Sequence, residues 1–404
     1  MEKKQNVPAL RFPDFSGEWN TYTLESMCDV FTDGDWIEAG DQSNSGIRLL
    51  QTGNIGVTEY IDKPKHKKWI SKETFDRLHC TAVLPGDILI SRLPEPAGRA
   101  CVIPDLGMEM ITAVDCTIAR VTEEYSKKYL VQYLSTDKYF SEVKDCLAGG
   151  TRQRISRGNL SVFTIPVPAE KTEQDRIGDF FERLDNCITV KKRKLQKLKQ
   201  FRQAMLTKLF PREGAAEPEL RFRGFYNKWT IESFENLVSR VSIMDNDPEL
   251  PHVEYEDIIS GAGALNKNIY KKSSSKTGIK FSIGDVLYGK LRPYLKNWLF
   301  ATFPGIAVGD FWVLHPEKVA GKFLYYLIQS TGYQNLANMT TGTKMPRADW
   351  AVISKAKFIV PNDLAEQERI GDFLYQLDSY ISLQQKKLER MQRLKAALLE
   401  KLFV

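Results

Sequence analysis

EQDRIGDFFERLDNCITVKKRKLQKLKQFRQAMLTKLF runs from Glu173 to Phe210, and EQERIGDFLYQLDSYISLQQKKLERMQRLKAALLEKLF runs from Glu366 to Phe403. Aligned without a gap, the two stretches agree at 17 of 38 positions. At alternating steps of four and three, the first copy presents Ile177, Phe181, Leu184, Ile188, Leu195, Leu198, Met205 and Leu209, interrupted by Lys191 and Arg202. The second presents Ile370, Leu374, Leu377, Ile381, Leu388, Met391, Leu398 and Leu402, interrupted in the same registers by Gln384 and Lys395. An apolar repeat of 3.5 residues is the seam of a left-handed coiled coil, so the spacing predicts two long helices that pair with each other. At about 1.5 Å per residue each would be roughly 57 Å long. Pro168 and Pro361 precede the helices, Asp363 with Glu366 has the spacing of a capping box, and Pro211 closes the first copy, because a proline drives the residue before it out of helical geometry. Gly178 and Gly371 fall in the first turns, where glycine costs about 1 kcal/mol relative to alanine. Either a close backbone approach or simple tolerance near a helix end would account for them.

A second duplication lies upstream of each helix. Pro8 to Trp19 reads PALRFPDFSGEW and Pro218 to Trp229 reads PELRFRGFYNKW. The repeating unit is therefore a lead-in segment, a globular body and a long helix, with the first body at 1–168, the first helix at 169–211, the second body at 212–361 and the second helix at 362–404. Fainter echoes join the bodies. Gly86-Asp87-Ile88-Leu89-Ile90-Ser91-Arg92 matches Gly284-Asp285-Val286-Leu287-Tyr288-Gly289-Lys290, a Gly-Asp turn leading into a strand. Tyr129 to Leu134 matches Phe323 to Ile328, both read as short amphipathic helices, and Gly150-Thr151-Arg152 matches Gly342-Thr343-Lys344.

Strand-like runs are short and separated by turn residues: Ile55–Tyr60, Cys101–Ile103, Thr117–Val121, Val162–Val167, Ile306–Val308, Phe311–Leu314 and Lys357–Val360. That pattern predicts α+β bodies rather than a doubly wound sheet. A compact body of about 145 residues has a radius of gyration near 15 Å with its chain ends close together. The second helix is therefore expected to return antiparallel along the first as a coiled coil, separating two pseudo-symmetric α/β bodies. Roughly eight apolar seam residues per helix, at about 1.5 to 3 kcal/mol each before entropy is charged, make pairing within the chain favourable. A parallel homodimer of the same helices is the competing arrangement.

The chain has 404 residues, a net charge of +6 and 42% hydrophobic residues, which places it among soluble globular proteins of two or three domains and permits a polyanionic partner. Its six cysteines, at 28, 80, 101, 116, 146 and 187, form no C-x-x-C and no zinc-like cluster with histidine. They read as reduced thiols of a cytoplasmic protein. The opening MEKKQNVPALRF lacks the apolar core of a signal peptide, and no stretch approaches the 18 apolar residues of a membrane span, so no membrane partner is expected.

Motifs for catalysis are missing. The sequence contains no G-x-x-x-x-G-K-[ST], no G-x-G-x-x-G after a strand, no G-x-S-x-G, no H-E-x-x-H and no Asn-Pro-Pro-aromatic tetrapeptide, and His66, His79, His252 and His315 are scattered. Neither a catalytic residue nor a cofactor or metal site is expected. Basic residues are the more informative feature. Lys65, His66, Lys67 and Lys68, together with Arg152, Gln153 and Arg154, mark the first body, where Arg92 and Arg99 are further candidates. Lys267, Lys271 and Lys272, then Lys290 and Arg292, then Lys344 and Arg347 mark the second. Lysine and arginine on loops suit phosphates, while arginine and glutamine can also read base edges. Each cluster taken alone is also compatible with an ordinary solvated surface. The run Lys191 to Lys199 is read as the solvent coat of the coil, with DNA contact as its alternative.

The helix pattern EQxRIGxFLxxLDxxIxLxxxKL, the lead-in LRFxxFxxxW, and the body signatures Gly284 to Leu295 (GDVLYGKLRPYL) and Gly342 to Trp350 (GTKMPRADW) together resemble the specificity subunit of type I restriction-modification enzymes, over nearly the whole chain from Leu10 to Phe403. The resemblance implies two target recognition domains, each reading one half of a bipartite, asymmetric duplex DNA sequence, held apart by two antiparallel helices. It implies two methyltransferase subunits and endonuclease-translocase subunits as partners, which would carry S-adenosylmethionine, ATP and magnesium. The first body departs from the family's commoner wording, with Ser91-Arg92-Leu93-Pro94-Glu95-Pro96 against Gly289-Lys290-Leu291-Arg292-Pro293-Tyr294 in the second. An orphan or stand-alone sequence-specific DNA-binding protein is the alternative. A self-contained methyltransferase is excluded because no segment remains to house its cofactor.

Overall fold

In the computed structural model, which describes residues 6–150, 153–272, 274–339 and 345–404, the repeated stretches are the long helices Lys171–Lys208 and Leu364–Leu402. The chain divides into two compact units, one of residues 1–191 with 388–404 and one of residues 192–387. Each unit thus contains one body, the first half of the long helix that follows it in sequence, and the second half of the other long helix.

In the first unit the core has two layers. A four-stranded antiparallel sheet has the order Cys28–Asp33, Cys116–Val121, Ile88–Ser91, Ala100–Val102. Side chains alternate across a strand, so Ile88 and Ile90 join Ala119 and Val121 in a cluster with Ile177, Phe181, Leu402 and Phe403 of the long helices and the segment after them. Leu89, with Cys101 and Ile118, packs on the opposite face against Leu50, Val83 and Met110, which lie on or beside a second sheet of Gln42–Ser43, Lys68–Ile70, Ile47–Leu50 and Met110–Thr112. A strand buried on both faces reads as a continuous apolar run rather than an alternating one, which is the run Ile88-Leu89-Ile90. The Gly86 turn ahead of it has φ 91°, a conformation that favours glycine, and Asp87 fixes the turn by accepting the Leu84 N–H at 2.8 Å and an ion pair from Arg120 at 2.8 Å.

The second unit repeats this first sheet strand for strand as Val238–Val241, Phe311–Pro316, Val286–Gly289 and Trp298–Phe300. Its second sheet keeps the same centre and changes its edges. Ile47–Leu50 pairs parallel with Met110–Thr112 and Met110 bridges Val83, as His252–Val253 pairs parallel with Gly305–Ala307 and that strand pairs antiparallel with Gly278–Phe281. The first unit adds Lys68–Ile70 outside Ile47–Leu50, whereas the second leaves His252–Val253 at the edge and adds Met244–Asp245 outside Gly278–Phe281. The bodies therefore share the layer next to the helices and differ at the edges of the layer beyond it.

The duplicated motif is used up in joining each helix to its own body. Glu173, only 1% exposed, accepts two hydrogen bonds of 2.7 Å from the Arg11 guanidinium, and Glu366, equally buried, accepts bonds of 2.9 and 2.8 Å from Arg221. The hydrogen bond to Glu173 raises the Arg11 pKa, and Glu366 does the same for Arg221. The side chain of Gln174 spans the Pro168 carbonyl at 3.0 Å and the Ser126 N–H at 2.9 Å, and Gln367 spans Pro361 and the Ala320 N–H at 2.8 and 2.7 Å. Each amide thereby satisfies a backbone N–H at the N-terminus of a short helix, Lys127–Tyr133 or Gly321–Leu327, that has no partner within the helix.

Within each unit the two helix halves run antiparallel. Phe181 stacks on Phe403 with ring centroids 5.8 Å apart, and Asp185 pairs with Lys395 at 2.6 Å in the first unit. In the second, Arg202 pairs with Asp378 at 2.9 Å and Lys199 meets Gln385 at 3.4 Å. Burial opposes the charge on Arg202, but the hydrogen bond and charge of Asp378 outweigh it and its pKa rises. Arg202 and Lys395, which break the apolar stripe in sequence, are thus equivalent residues answering equivalent carboxylates across the helix pair. None of the sixteen seam residues is exposed.

Three local expectations are corrected. Asp363 accepts the Ala365 N–H at 2.9 Å, but the Glu366 carboxylate is taken by Arg221, so no reciprocal capping box forms. Ile55 and Tyr60 make only an isolated bridge, because the 3-10 turn Thr52–Asn54 precedes Ile55. The helices Lys127–Tyr133 and Gly321–Leu327 are not amphipathic: Tyr129–Tyr133 and Phe323–Leu327 are buried throughout, lying between sheet and long helix.

Close approach, rather than tolerance, explains the two helix glycines. A Cβ on Gly178 would stand 2.6 Å from the Lys128 Cβ and 2.7 Å from the Tyr129 nitrogen, and one on Gly371 would stand 2.8 Å from the Lys322 Cβ and the Phe323 nitrogen. By helix propensity alone, Gly→Ala stabilises by about 1 kcal/mol. The clash with backbone reverses the sign: Gly178→Ala and Gly371→Ala should each destabilise by about 1–3 kcal/mol, read as a lower urea midpoint. A raised midpoint would show that the short helices give way.

Candidate nucleic-acid interface

In the first body the basic stretch forms a projecting loop. Pro64–His66 is a 3-10 turn begun by a proline with its fixed φ, and Lys68 opens the strand Lys68–Ile70. Lys65, His66 and Lys67 are exposed and Lys68 is half-buried. None of the four has a side-chain hydrogen bond or ion pair among the described residues. The loop is held by its own strand, where Trp69 lies under the Arg48 guanidinium at 5.7 Å. Lys65, His66 and Lys67 therefore face solvent from a fixed base, with Lys68 half-buried at its foot.

The other first-body candidates behave differently. Arg99 is 8% exposed and donates to four backbone carbonyls, those of Ile55, Leu93, Pro96 and Thr52, at 2.7–2.8 Å. Burial lowers its pKa. It organises the turn that crosses it and is not placed to meet a ligand. Arg92 is 4% exposed, donates to the Val114 carbonyl at 2.6 Å and lies 3.3 Å from Asp33; it too is turned inward. Gln153 and Arg154 are exposed, with the Arg154 guanidinium 3.6 Å from Asp115. Arg152 lies outside the described residues.

In the second body the lysines of the Gly/Ser/Asn-rich loop divide. Lys267 stands 2.7 Å from Asp257, Lys272 bridges Glu254 and Asp257 at 2.7 and 2.8 Å, and Lys276 reaches Glu254 at 2.9 Å. Burial works against the charge of Asp257, yet the hydrogen bonds from Lys267 and Lys272 outweigh it and hold its carboxyl below the usual range; Lys272 does the same for Glu254. Lys267 and Lys272 are thus occupied within the fold, while Lys271 is exposed and without a side-chain partner among the described residues.

Lys290 and Arg347 converge. They stand 3.7 and 3.0 Å from the two oxygens of Asp310, and the Leu291–Arg347 bridge draws their strands together. The same frame recurs in the first body: the Arg92 N–H donates to the Asp115 carbonyl as the Lys290 N–H does to Asp310, both at 2.9 Å, and Arg154 faces Asp115 as Arg347 faces Asp310. Arg292 is exposed beside this group, and Lys344 lies outside the described residues. Sequence reading overlooked Tyr294 and Lys296, which share the exposed turn with Arg292. The signal was present in Lys290 to Lys296 (KLRPYLK), where basic and aromatic residues alternate within one turn.

Among the described residues no group of histidine, cysteine, aspartate and glutamate is arranged to hold a metal, and no helix is long and apolar enough to cross a membrane. The six cysteines are free thiols; burial is the main cause that pushes Cys101 and Cys116 up to about 12, which leaves them un-ionised and inert at neutral pH.

Residues 16–200 and 212–393 match the family described as the type I restriction modification DNA specificity domain. The specificity subunit of the type I restriction enzyme EcoDI of Escherichia coli is 24% identical over 290 residues, covering 63% of this chain and 65% of that protein, so the match spans just under two thirds of the relative. The fold is similar to the crystal structure of a type I restriction-modification S subunit from M. genitalium, with a TM-score of 0.66 at 14% identity over 98% of this chain and 99% of that one. It is also similar to a chain from a study of complex assembly and conformational transition of the type I restriction-modification system, with a TM-score of 0.52 at 15% identity over 95% and 97%.

The division among the second-body lysines is measurable. Lys272→Met strips the buried Asp257 of one of its two cations and should cost about 1 kcal/mol at neutral pH, the solvent-screened value for such a pair, whereas Lys271→Met should leave the melting temperature unchanged. The folded pKa of both carboxylates is depressed, so their contribution is present above the unfolded value of about 4 and is lost as pH falls through the folded values. The gap between Lys272→Met and the parent should close on acidification. A gap that persists once the carboxylates are protonated would assign the effect to packing.

Proposed function

The chain belongs to the type I restriction-modification DNA specificity family, and we propose that it is the non-catalytic subunit that selects the DNA sequence on which such a complex acts. The observation that carries this reading is the internal duplication. One frame is used twice, down to Arg11–Glu173 and Arg221–Glu366, while the second sheets and the basic loops differ between bodies. Two unlike bodies on one repeated frame suit a target of two unlike half-sites. Exposed cations on loops supply the salt-sensitive attachment to phosphates that duplex recognition needs.

Methyl transfer and ATP-dependent cleavage belong to partner subunits in this reading, with S-adenosylmethionine, ATP and magnesium held by them. Methyltransferase subunits, expected as a pair, and endonuclease subunits assemble on this chain. The helix pair acts as the spacer between half-sites. Inserting one heptad at matching positions in both helices lengthens it by about 10 Å and, at 3.4 Å per base pair, lengthens the unread gap by about three base pairs.

The test is to produce the chain with a matching methyltransferase subunit and map methylated bases by single-molecule sequencing. A split motif is expected, and the double-heptad variant should methylate the same halves at the longer spacing; an unsplit motif, or an unchanged gap, would sink the reading. Replacing Lys65, Lys67 and Lys68 by alanine should flatten the salt dependence of duplex binding by up to about 0.9 log unit per lost phosphate contact. An unaltered salt slope would remove that loop from the interface.

A further inference from the structure

The turn after the Gly-Asp strand of the second body has a backbone that its sequence does not favour. Arg292 (φ 49°, ψ 63°) and Lys296 (φ 57°, ψ 46°) are both left-handed, one on each side of the 3-10 turn Pro293–Leu295. Residues bearing a Cβ are disfavoured there, and the conformation persists only where surrounding structure imposes it. That structure is visible. The Arg292 N–H donates to the Pro346 carbonyl at 2.7 Å, the Leu291 N–H to the Tyr255 hydroxyl at 3.2 Å, and the Gly261 N–H to the Lys296 carbonyl at 2.9 Å, while Pro293 is buried.

The backbone is thus held by three separate segments while its side chains remain outside. Arg292 and Lys296 are exposed and have no side-chain ion pair or hydrogen bond among the described residues, and Tyr294 between them is 51% exposed. This sets them apart from the neighbouring cations, since Lys290 and Arg347 lean on Asp310 and Lys267, Lys272 and Lys276 are neutralised by Glu254 and Asp257.

The first body builds the corresponding turn to the opposite sign. The hydrogen bonds correspond: Ser91 N–H to Arg99 carbonyl at 2.9 Å against Gly289 to Asn297 at 2.7 Å, and Ile155 N–H to Arg92 carbonyl at 3.1 Å against Ala348 to Lys290 at 2.8 Å. Yet Arg92 and Arg99 are turned inward, and the exposed tip Pro94-Glu95-Pro96 carries a single charge, a carboxylate. Two cations around a tyrosine complement a polyanion; a lone carboxylate between prolines does not.

We propose that the Arg292–Lys296 turn is the element with which the second body engages duplex DNA, Arg292 and Lys296 on backbone phosphates and Tyr294 against the bases between them, and that the equivalent Arg92–Arg99 turn of the first body has no such role. This rests on the DNA-specificity reading above and names the residues that perform it. A fixed turn carries specificity well, because its side chains meet the groove without first ordering the loop.

Glycine tests this without endangering the fold, since it accepts left-handed φ at no steric cost. The chain is produced with its methyltransferase subunit as wild type, as Arg292→Gly/Lys296→Gly, as Tyr294→Ala and as Glu95→Gln, with melting temperatures as the folding control. The double glycine variant should melt no lower than wild type, bind the mapped duplex about tenfold or more weakly at physiological salt, and lower the salt slope by about 1.8 log units, the value for two phosphates. Tyr294→Ala should relax base preference in one half of the methylated motif and leave the other half intact, and Glu95→Gln should leave both halves unchanged. Unaltered affinity and salt slope in the double glycine variant, an unaltered motif in Tyr294→Ala, or a motif relaxed by Glu95→Gln would overturn the assignment. Failure of the wild-type complex to methylate any defined motif would instead overturn the DNA-specificity reading on which it rests.

Discussion

Each long helix begins with a glutamate that the fold removes from water, and a buried carboxylate is tolerable only when answered by a well-placed cation and hydrogen bonds. Arg11 and Arg221 give that answer from the lead-in segments, each with two bonds to one carboxylate. The planar guanidinium also reaches the chain it comes from: Arg11 donates to the Ser16 carbonyl at 2.9 Å and Arg221 to Asn227 at 2.9 Å. One fork therefore fixes the lead-in, the start of the helix and the loop between them. A lysine, with one compact charge and no fork, could not do all three. The strongest identities between the two halves of the sequence follow from this constraint, and even the exposed arginine of Glu-Gln-x-Arg-Ile-Gly packs on its lead-in segment, Arg176 over Phe12 at 5.0 Å and Arg369 over Phe222 at 5.3 Å.

A census of basic residues is a poor guide to a nucleic-acid face, and this chain shows why in its own charges. Arg92, Arg99, Lys267 and Lys272 are as basic in sequence as Lys65 or Arg292, yet the fold consumes the first four in ion pairs or backbone bonds. What separates the groups is the presence of an unanswered carbonyl or carboxylate nearby. Arg99 answers the carbonyls of Thr52, Ile55, Leu93 and Pro96, and Lys272 answers Glu254 and Asp257, whose carboxyl pKa values its hydrogen bonds help to hold down. Lys65 and Lys67 are exposed and make no ion pair among the described residues.

The helices and the repeat were legible because their signals are periodic and local. Seam positions such as Ile177 and Leu402 are spaced at 3.5 residues whatever surrounds them, and all are withdrawn from solvent. Leu206 and Leu399 were not assigned to the stripe but are buried, because in each unit the helix halves also pack on a body and bury a broader face than a two-helix seam. The inner strands of the first sheet, Ile88–Ser91 with Cys116–Val121 and Val286–Gly289 with Phe311–Pro316, were legible for a similar reason, since burial on both faces leaves a nearly unbroken apolar word, whereas the half-exposed edge strands Cys28–Asp33 and Val238–Val241 carry no such word. What could not be read is whatever depends on partners distant in sequence. Arg99 meets Thr52, 47 residues away, and Lys272 meets Glu254, 18 residues away; no local pattern distinguishes such a residue from a free surface cation. Gly178 is the intermediate case, visible as an anomaly in a helix and explained only when Tyr129 is seen against it.

The two-layer core also bears on how one frame can serve two targets. In each body, the face of the first sheet that meets the long helices is bound by them: Ile88 and Ile90 must fit Ile177 and Phe181, as Val286 and Tyr288 must fit the cluster that holds Ile370 and Leu374. A change there is felt along the helix, and the order of that sheet is the same in both units. The far face packs within the body, in separate clusters that contain no residue of the long helices. Substitution there is answered within the body, and there the edges of the second sheet differ, the first unit adding Lys68–Ile70 outside Ile47–Leu50 and the second adding Met244–Asp245 outside Gly278–Phe281. Variation is thus cheapest in the layer that does not touch the helices and in the turns between strands, where Lys65 to Lys68 and Arg292 to Lys296 lie. A close-packed core transmits strain only through contact, so separating the two faces of one sheet is enough to let the reading surfaces diverge while the helix attachments stay fixed.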